Sequence, residues 1–216
     1  MNCLVTAGPT YEPLDEVRRL TNFSTGRLGS GLASFLARSG HTVTLLLGCG
    51  ATHCPEPTDL TIEIFTTTAD LLVRLQRLAG QRFDDVLHAA AVSDFGFGKV
   101  WERTPEGRLV ELLAPKLPTR RGTLWAELVP TPKAIGRLRE WFPQATLVGW
   151  KYEVEGTREE ALARGGAQIA ACRTDACVVN GRAYGAGYGL VRAPAQWRHQ
   201  ADDTALFQAL AAMIEA

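Results

Sequence analysis

An α/β fold, an open and mainly parallel Rossmann-like sheet with helices on both faces, is predicted by three observations. Apolar, β-branched runs at 3–6, 41–47 and 85–92 read as strands buried on both faces. Amphipathic helical segments lie between them, at 28–39 and 69–78. These connections are long enough to cross over and return the chain in parallel, which a tight turn cannot do.

Each element has a local reason. Cys3 to Thr6 is a short buried strand that stops at Gly8-Pro9. Leu28 to Ser39 is a helix with Leu32, Phe35 and Leu36 on one face and Gly40 as its stop. His41 to Leu47 is the second strand, and Ala69 to Leu78 is a helix with Leu71, Leu72, Leu75 and Leu78 turned inward. Asp85 to Val92 is the third strand, running into Ser93-Asp94. Residues 96–130 break the pattern with Pro105, Pro115 and Pro118 among Lys99, Arg103, Lys116, Arg120 and Arg121. Short strands at 109–113 and 124–129 make this a small hairpin-like strap appendage with a mobile basic loop. Thr131-Pro132 starts a helix to about Phe142, the threonine as N-cap and the proline in the first helical position. A strand at 146–152, a helix at 157–172, a strand at 176–180 and a helix at 202–214 finish the sheet. The chain 1–216 thus reads as one domain, with 96–130 as a strap or dimerisation-type appendage.

Composition narrows the function classes. A chain of 216 residues that is 46% apolar can bury a sizeable core. Lys plus Arg and Asp plus Glu both number 23, so no global field draws in nucleic acid or an anionic membrane. No apolar run is long enough to span a bilayer. Met1-Asn2-Cys3-Leu4-Val5 enters a strand without a signal-type segment. The five cysteines have no metal-type spacing and fit reduced thiols. Asn22-Phe23-Ser24 is a glycosylation sequon only by chance in that setting. The expectation is a cytoplasmic protein with neither nucleic-acid nor membrane partners.

Ligands of open parallel sheets bind outside the carboxyl ends of the strands. That rule gathers Gly8-Pro9-Thr10, Ser93-Asp94, Gly149-Trp150-Lys151 and Asn180-Gly181. A dinucleotide site is disfavoured twice. Gly26, Gly29 and Gly31 come well after the first strand instead of immediately behind it, and the second strand ends in Gly48-Cys49-Gly50 without an acidic residue for ribose. Ser24-Thr25-Gly26, with Gly29 and Gly31, can converge backbone N–H groups on a phosphate. The same glycines would equally allow close helix–strand packing. Arg18, Arg27, Lys116, Arg120, Arg121 and Lys133 fall at this end. Each alone reads as a solvated charge; together they point to a polyphosphate. Asp94 follows small alanines and suits either a hydroxyl or metal-bound phosphate, or a turn cap. His88, Cys172 and Cys177 read as core, while Trp150 could stack on a base or pack inward. Asn22 stands between the two glycine turns, where a plain nucleotide loop needs no amide.

Val5-Thr6-Ala7-Gly8-Pro9-Thr10-Tyr11-Glu12, Thr21-Asn22-Phe23-Ser24-Thr25-Gly26, Ala89-Ala90-Ala91-Val92-Ser93-Asp94-Phe95 and Lys116-Leu117-Pro118 form an ordered series. Thr131-Pro132-Lys133, Val148-Gly149-Trp150-Lys151 and Asp175-Ala176-Cys177-Val178-Val179-Asn180 continue it. From residue 3 to about 191 the series resembles the phosphopantothenate–cysteine ligases of coenzyme A biosynthesis. The resemblance implies a ligase that uses CTP or ATP, with Mg2+, to join phosphopantothenate and L-cysteine through an acyl-nucleotide, releasing pyrophosphate. It implies Asn22 and Lys116 as catalytic residues. It implies nucleotide contacts at Gly8, Ser24, Gly26, Gly29, Ala89, Lys133, Trp150 and Asn180. Substrate contacts follow at Arg18, Asn22, Ala90, Ala91 and Asp94, with Arg18 reaching the partner's site in a homodimer; no metal ligand is assigned.

The chain departs from many bacterial relatives in two places. Trp150-Lys151-Tyr152-Glu153 stands where they carry an aromatic-Ala-Ala-Glu segment, and Gln168, Cys172 and Arg173 stand where they carry lysines. Both bear on nucleotide choice. The length leaves no room for the usual fused flavin-dependent decarboxylase, so a stand-alone form is expected. The rival readings are a non-catalytic binder of nucleotide or phosphopantothenate, and an NAD(P)-binding oxidoreductase on the same sheet.

Overall fold

The computed structural model describes residues 1–55, 59–113, 115–117, 122–193 and 196–215. In chain order these form β1 (Asn2–Ala7), β2 (Tyr11–Pro13), β3 (Arg19–Thr21), α1 (Arg27–Arg38), β4 (Thr42–Gly48), β5 (Thr61–Phe65) and α2 (Thr68–Leu78). There follow β6 (Asp85–His88), β7 (Phe95–Arg103), β8 (Leu109–Glu111), β9 (Leu124–Pro130), a 3-10 turn (Ala134–Arg137) and α3 (Leu138–Trp141). The chain closes with β10 (Thr146–Tyr152), α4 (Arg158–Cys172), β11 (Ala176–Asn180), β12 (Tyr188–Ala193), β13 (Gln196–Gln200) and α5 (Asp203–Ile214).

The main sheet has the order β13-β12-β11-β10-β6-β1-β4-β5. The strands from β11 to β5 are all parallel, and β12 and β13 close one edge antiparallel. The chain builds outward from β1 through β4 to β5, then jumps back to β6 and builds the other way. The direction reverses between β1 and β6, where loops leaving adjacent strands splay apart and open a crevice. Strand period two divides the core between the two faces. Val5, Leu45, Leu87, Val148 and Val178 pack with Leu32 and Leu36 of α1 and with Leu206, Phe207 and Leu210 of α5. Leu4, Leu46, Val86 and Leu147 face α2 and α3, while Cys177 and Val179 face α4. Thr157 and Glu160 form a reciprocal capping box that starts α4.

The parallel αβ frame matches the sequence expectation, and four details correct it. β5 extends the sheet beyond β4, and the β12–β13 hairpin covers the opposite edge; neither was foreseen. The appendage is a three-stranded antiparallel sheet in the order β8-β7-β9, not a hairpin, because 95–103 is a long strand despite Gly96 and Gly98. The helix expected at 131–142 is only the 3-10 turn followed by the single turn of α3. Thr131 does not cap it: its hydroxyl donates to the Ser93 carbonyl, and Lys133 occupies the cap position. β6 also ends at His88, after which Ala91 makes a lone parallel bridge to Pro9. Among the described residues no helix is long and apolar enough to cross a membrane.

Candidate active site

The crevice is built first from two glycines. Gly8, leaving β1, and Gly26, capping α1, both have left-handed backbones, with φ of 80° and 79°. They lie against each other: a Cβ on Gly26 would sit 3.4 Å from the Gly8 Cα and 3.0 Å from the Ala51 Cβ. No side chain caps α1 and no acidic residue stands in its first turn. Its N-terminal N–H groups and partial positive charge are therefore left for an anion. The Ser24 hydroxyl accepts weakly from Gly26 N at 3.4 Å, and Thr25 Oγ1 accepts from Arg27 N at 3.3 Å. Gly29, in the first turn of α1, also has a packing role. A Cβ there would come within 2.6 Å of the Ala7 Cβ, so its missing side chain lets α1 lie directly on β1.

The segment after β6 is sewn to the one after β1. Ala89 N donates to Thr6 O at 3.1 Å, Ala91 N to Gly8 O at 2.9 Å, and Thr10 N to Ala91 O at 3.1 Å. Thr6 Oγ1 accepts from Ala90 N at 3.2 Å and lies 2.8 Å from His88 Nδ1. Burial pushes the His88 pKa down to about 4, so its ring is a neutral partner for that hydroxyl. Thr10 Oγ1 accepts from Ser93 N at 2.8 Å and donates to Ser93 Oγ at 3.1 Å. Asn22 Nδ2 then donates to Ala91 O at 3.0 Å. Lys133 and Asp94 form an exposed ion pair at the rim, and Thr131 N donates to Asp94 O at 3.0 Å.

Beside the α1 N-terminus, Arg27 pairs with Asp203, which also accepts from the Tyr188 hydroxyl at 2.5 Å. Burial and that carboxylate push the Tyr188 phenol up to about 12. These groups border a cleft of about 600 Å3 lined by Tyr152, Asn180, Gly181, Arg182, Tyr188 and Asp203 among others. Trp150 packs half-buried against the α1/α5 core, its indole Nε1 buried and without a partner among the described residues.

Lys116 lies exposed in a segment docked on the turn between β2 and β3. Glu16 N donates to Pro115 O at 2.9 Å, Leu117 N to Asp15 Oδ2 at 3.0 Å, and Arg18 Nη2 to Leu117 O at 2.7 Å. The backbone on both sides of this lysine is hydrogen-bonded; residues 118–121 of the expected basic loop, including Arg120 and Arg121, lie outside the described residues. Arg18 is engaged by Asp15 and Leu117 of its own chain.

The structure thus brings Gly8, Asn22, Gly26, Ala89, Ala90 and Ala91 into one cluster with Asp94 and Lys133 at its edge. Trp150 and Asn180 belong to the neighbouring strand ends, Lys116 to the docked segment, and Arg18 to the β2–β3 turn on which it docks. Sequence reasoning gave no role to Thr6, Asp15, Tyr188 and Asp203, and placed Thr10 at the strand end without its bonds to Ser93. For Asp15 a signal existed: an aspartate opening a turn and followed three residues later by an arginine.

The same architecture occurs in solved structures. The DNA/pantothenate metabolism flavoprotein from Streptococcus pneumoniae superposes with a TM-score of 0.85 at 25% identity, covering 100% of this chain and 98% of that one. A mutant of Cab2 in complex with phosphopantothenate-cysteine has a TM-score of 0.74 at 19% identity, covering 99% of this chain and 86% of that one, a likeness of fold alone. The coenzyme A biosynthesis bifunctional protein CoaBC of Thermococcus kodakarensis is 34% identical over 178 residues, 82% of this chain. That of Bacillus subtilis is 29% identical over 187 residues, 86% of this chain. The matches cover only 40% and 42% of those longer proteins. Because its profile matches residues 1–192, nearly the whole crevice included, the chain belongs to the DNA/pantothenate metabolism flavoprotein C-terminal domain family.

Proposed function

We propose that the chain joins 4′-phosphopantothenate to L-cysteine with CTP or ATP as co-substrate, as a cytoplasmic homodimer. The observation that carries this reading is the Asn22 amide held on Ala91 O beside the Gly8–Gly26 anion cradle. A binding module needs the cradle but not the amide.

In this reading the triphosphate lies on the α1 N-terminus, with Ser24, Gly26 and Arg27 around it, and its nucleoside extends toward Trp150, Asn180 and the cleft. Phosphopantothenate lies along Ala90 and Ala91, with Asp94 receiving hydroxyls. Its carboxylate attacks the α-phosphate and pyrophosphate leaves. The cysteine amine then attacks the acyl carbon, the amide bond forms, and the nucleotide departs as its monophosphate. Negative charge gathers first on the phosphate and then on the tetrahedral carbon. A neutral donor such as Asn22 and a cation such as Lys116 are suited to those two places. Among the described residues no group of His, Cys, Asp or Glu forms a metal cage. Magnesium would therefore ride on the phosphates, as it commonly does, instead of in a protein site. Leu109, Val110, Trp125 and Leu128 of the appendage are exposed and supply apolar surface for a second copy.

Incubating the protein with phosphopantothenate, cysteine, magnesium and either nucleotide, and following pyrophosphate and product mass, tests the reading. Cysteine-dependent product names the nucleotide; binding without pyrophosphate would replace the ligase by a non-catalytic relative.

A further inference from the structure

We propose that Asp15 is a positioning residue which, through the peptide groups around Leu117, fixes where Lys116 presents its ammonium. This rests on the ligase reading above. The turn 15–18 is organised around one carboxylate. Asp15 is almost fully buried, its side chain only 1% exposed. It accepts from the backbone N–H of Val17 at 2.9 Å, Arg18 at 2.7 Å and Leu117 at 3.0 Å. Arg18 adds its Nε at 3.0 Å and its Nη2 at 2.5 Å. The Leu117 N–H and the other donors hold the carboxyl well below the usual carboxylate range, so it stays an acceptor throughout the working pH.

A turn could be stabilised with fewer donors. What is unusual is that this carboxylate reaches a segment distant in sequence and grips it immediately beside the lysine. Leu117 is held at its N–H by Asp15 and at its carbonyl by Arg18, and its side chain is 3% exposed. Pro115, on the other side, is held at its carbonyl by Glu16 N. The Lys116 side chain itself stays in solvent. A lysine on a flexible four-carbon stem places its charge reproducibly only when its Cα is fixed. An error of about 1 Å in a reacting geometry can cost on the order of 10²-fold in rate. Were Arg18 drawn away to an anion, Leu117 would lose one donor but keep its bond to Asp15. Asp15 is therefore the constant half of the grip.

The test uses the full chain as wild type, Asp15→Asn, Lys116→Ala and the double variant, each checked for a folded spectrum. Without substrates, amide exchange at Leu117 is expected to be slow in the wild type and about tenfold or more faster in Asp15→Asn, as a lost hydrogen bond requires. With substrates, Asp15→Asn should lower kcat for pyrophosphate formation about tenfold to a hundredfold, with little change in nucleotide KM. It should have almost no further effect in the Lys116→Ala background. Additive losses in the double variant, or unchanged exchange at Leu117, would overturn the proposal. Should Asp15→Asn fail to fold, Asp15→Glu, which keeps the charge but displaces the acceptor from the Leu117 N–H, takes its place and must reproduce the kcat loss. A wild-type chain that releases no pyrophosphate removes the ligase reading itself, and with it the reaction Lys116 would serve. An active wild type with additive losses removes only the role of Asp15.

Discussion

The Asn22 amide donates to the Ala91 carbonyl across 3.0 Å, tying the loop before α1 to the loop after β6. Ala91 O also accepts from Thr10 N, so the segments after β1, β3 and β6 meet at one oxygen. The crevice at the sheet's reversal point is in this way braced before any ligand arrives.

That placement makes Asn22→Ala the sharpest test of chemistry against binding. The variant is expected to retain nucleotide affinity by calorimetry while turnover falls by about 10²–10³, the usual cost of one preorganised donor. Normal pyrophosphate release from Asn22→Ala would remove the amide from the reaction.

Two glycine substitutions should separate backbone shape from packing. Gly26→Ala meets a left-handed backbone, which costs an L-residue about 1–2 kcal/mol. Gly29→Ala keeps a helical backbone but drives its Cβ into Ala7, and overpacking of this kind costs about 1–3 kcal/mol. Urea midpoints would read both losses; a neutral Gly29→Ala would mean that α1 does not lie on β1 as described.

Asp94 and Lys133 should matter to ligand and hardly to stability. Their pair is exposed, and such pairs contribute about 0–1 kcal/mol. Asp94→Ala is expected to leave the melting temperature unchanged and to raise KM for phosphopantothenate about tenfold, the scale of one lost charged hydrogen bond. An unchanged KM would return Asp94 to the role of a turn residue.

The far end of the sheet carries a pH signature. Asp85 is buried, Oδ1 lacks a partner among the described residues, and burial raises its pKa from 3.8 to about 6. A carboxyl raised on folding supports the fold when protonated, so its contribution is full below 3.8 and lost as pH rises through about 6. Asp85→Asn should therefore stabilise the protein by about 1–3 kcal/mol at pH 8 and by nothing near pH 3.5. His88 moves the other way, losing stability as pH falls from 6.5 toward about 4, but it is common to both chains and cancels in their difference. Parallel stability curves from pH 4 to 8 would contradict this account.

The parallel frame was legible because buried strands must be continuously apolar, as Val43 to Leu47 is, and because α1 and α2 carry clear apolar stripes. Edges were not. Thr61–Phe65 is an outer strand on which only Phe65 is buried, and β13, Gln196–Gln200, is exposed along nearly its whole length, so neither carries a continuous inward face to be read. Thr131-Pro132 misled for a local reason, since the hydroxyl expected to cap a helix binds the Ser93 carbonyl instead. Near the crevice, the residue types at strand ends pointed to the loops after β1 and β6 that the structure brings together. The supports that hold those loops, Thr6 under Ala90 and Asp15 under Leu117, join residues too distant in sequence for spacing to reveal.

The family profile ends at residue 192, but the folding unit does not. Phe207 on α5 packs against Phe35 of α1 with tilted rings whose centroids are 5.8 Å apart, and Leu206 and Leu210 close the same core. The profile and the apolar core thus have different borders: the profile stops before α5, and the core includes it. A chain cut at the profile's end would lay bare the apolar side of α1 and release Arg27 from Asp203 at the mouth of the crevice. The C-terminal helix, outside the family profile, completes the apolar core that the profiled residues begin.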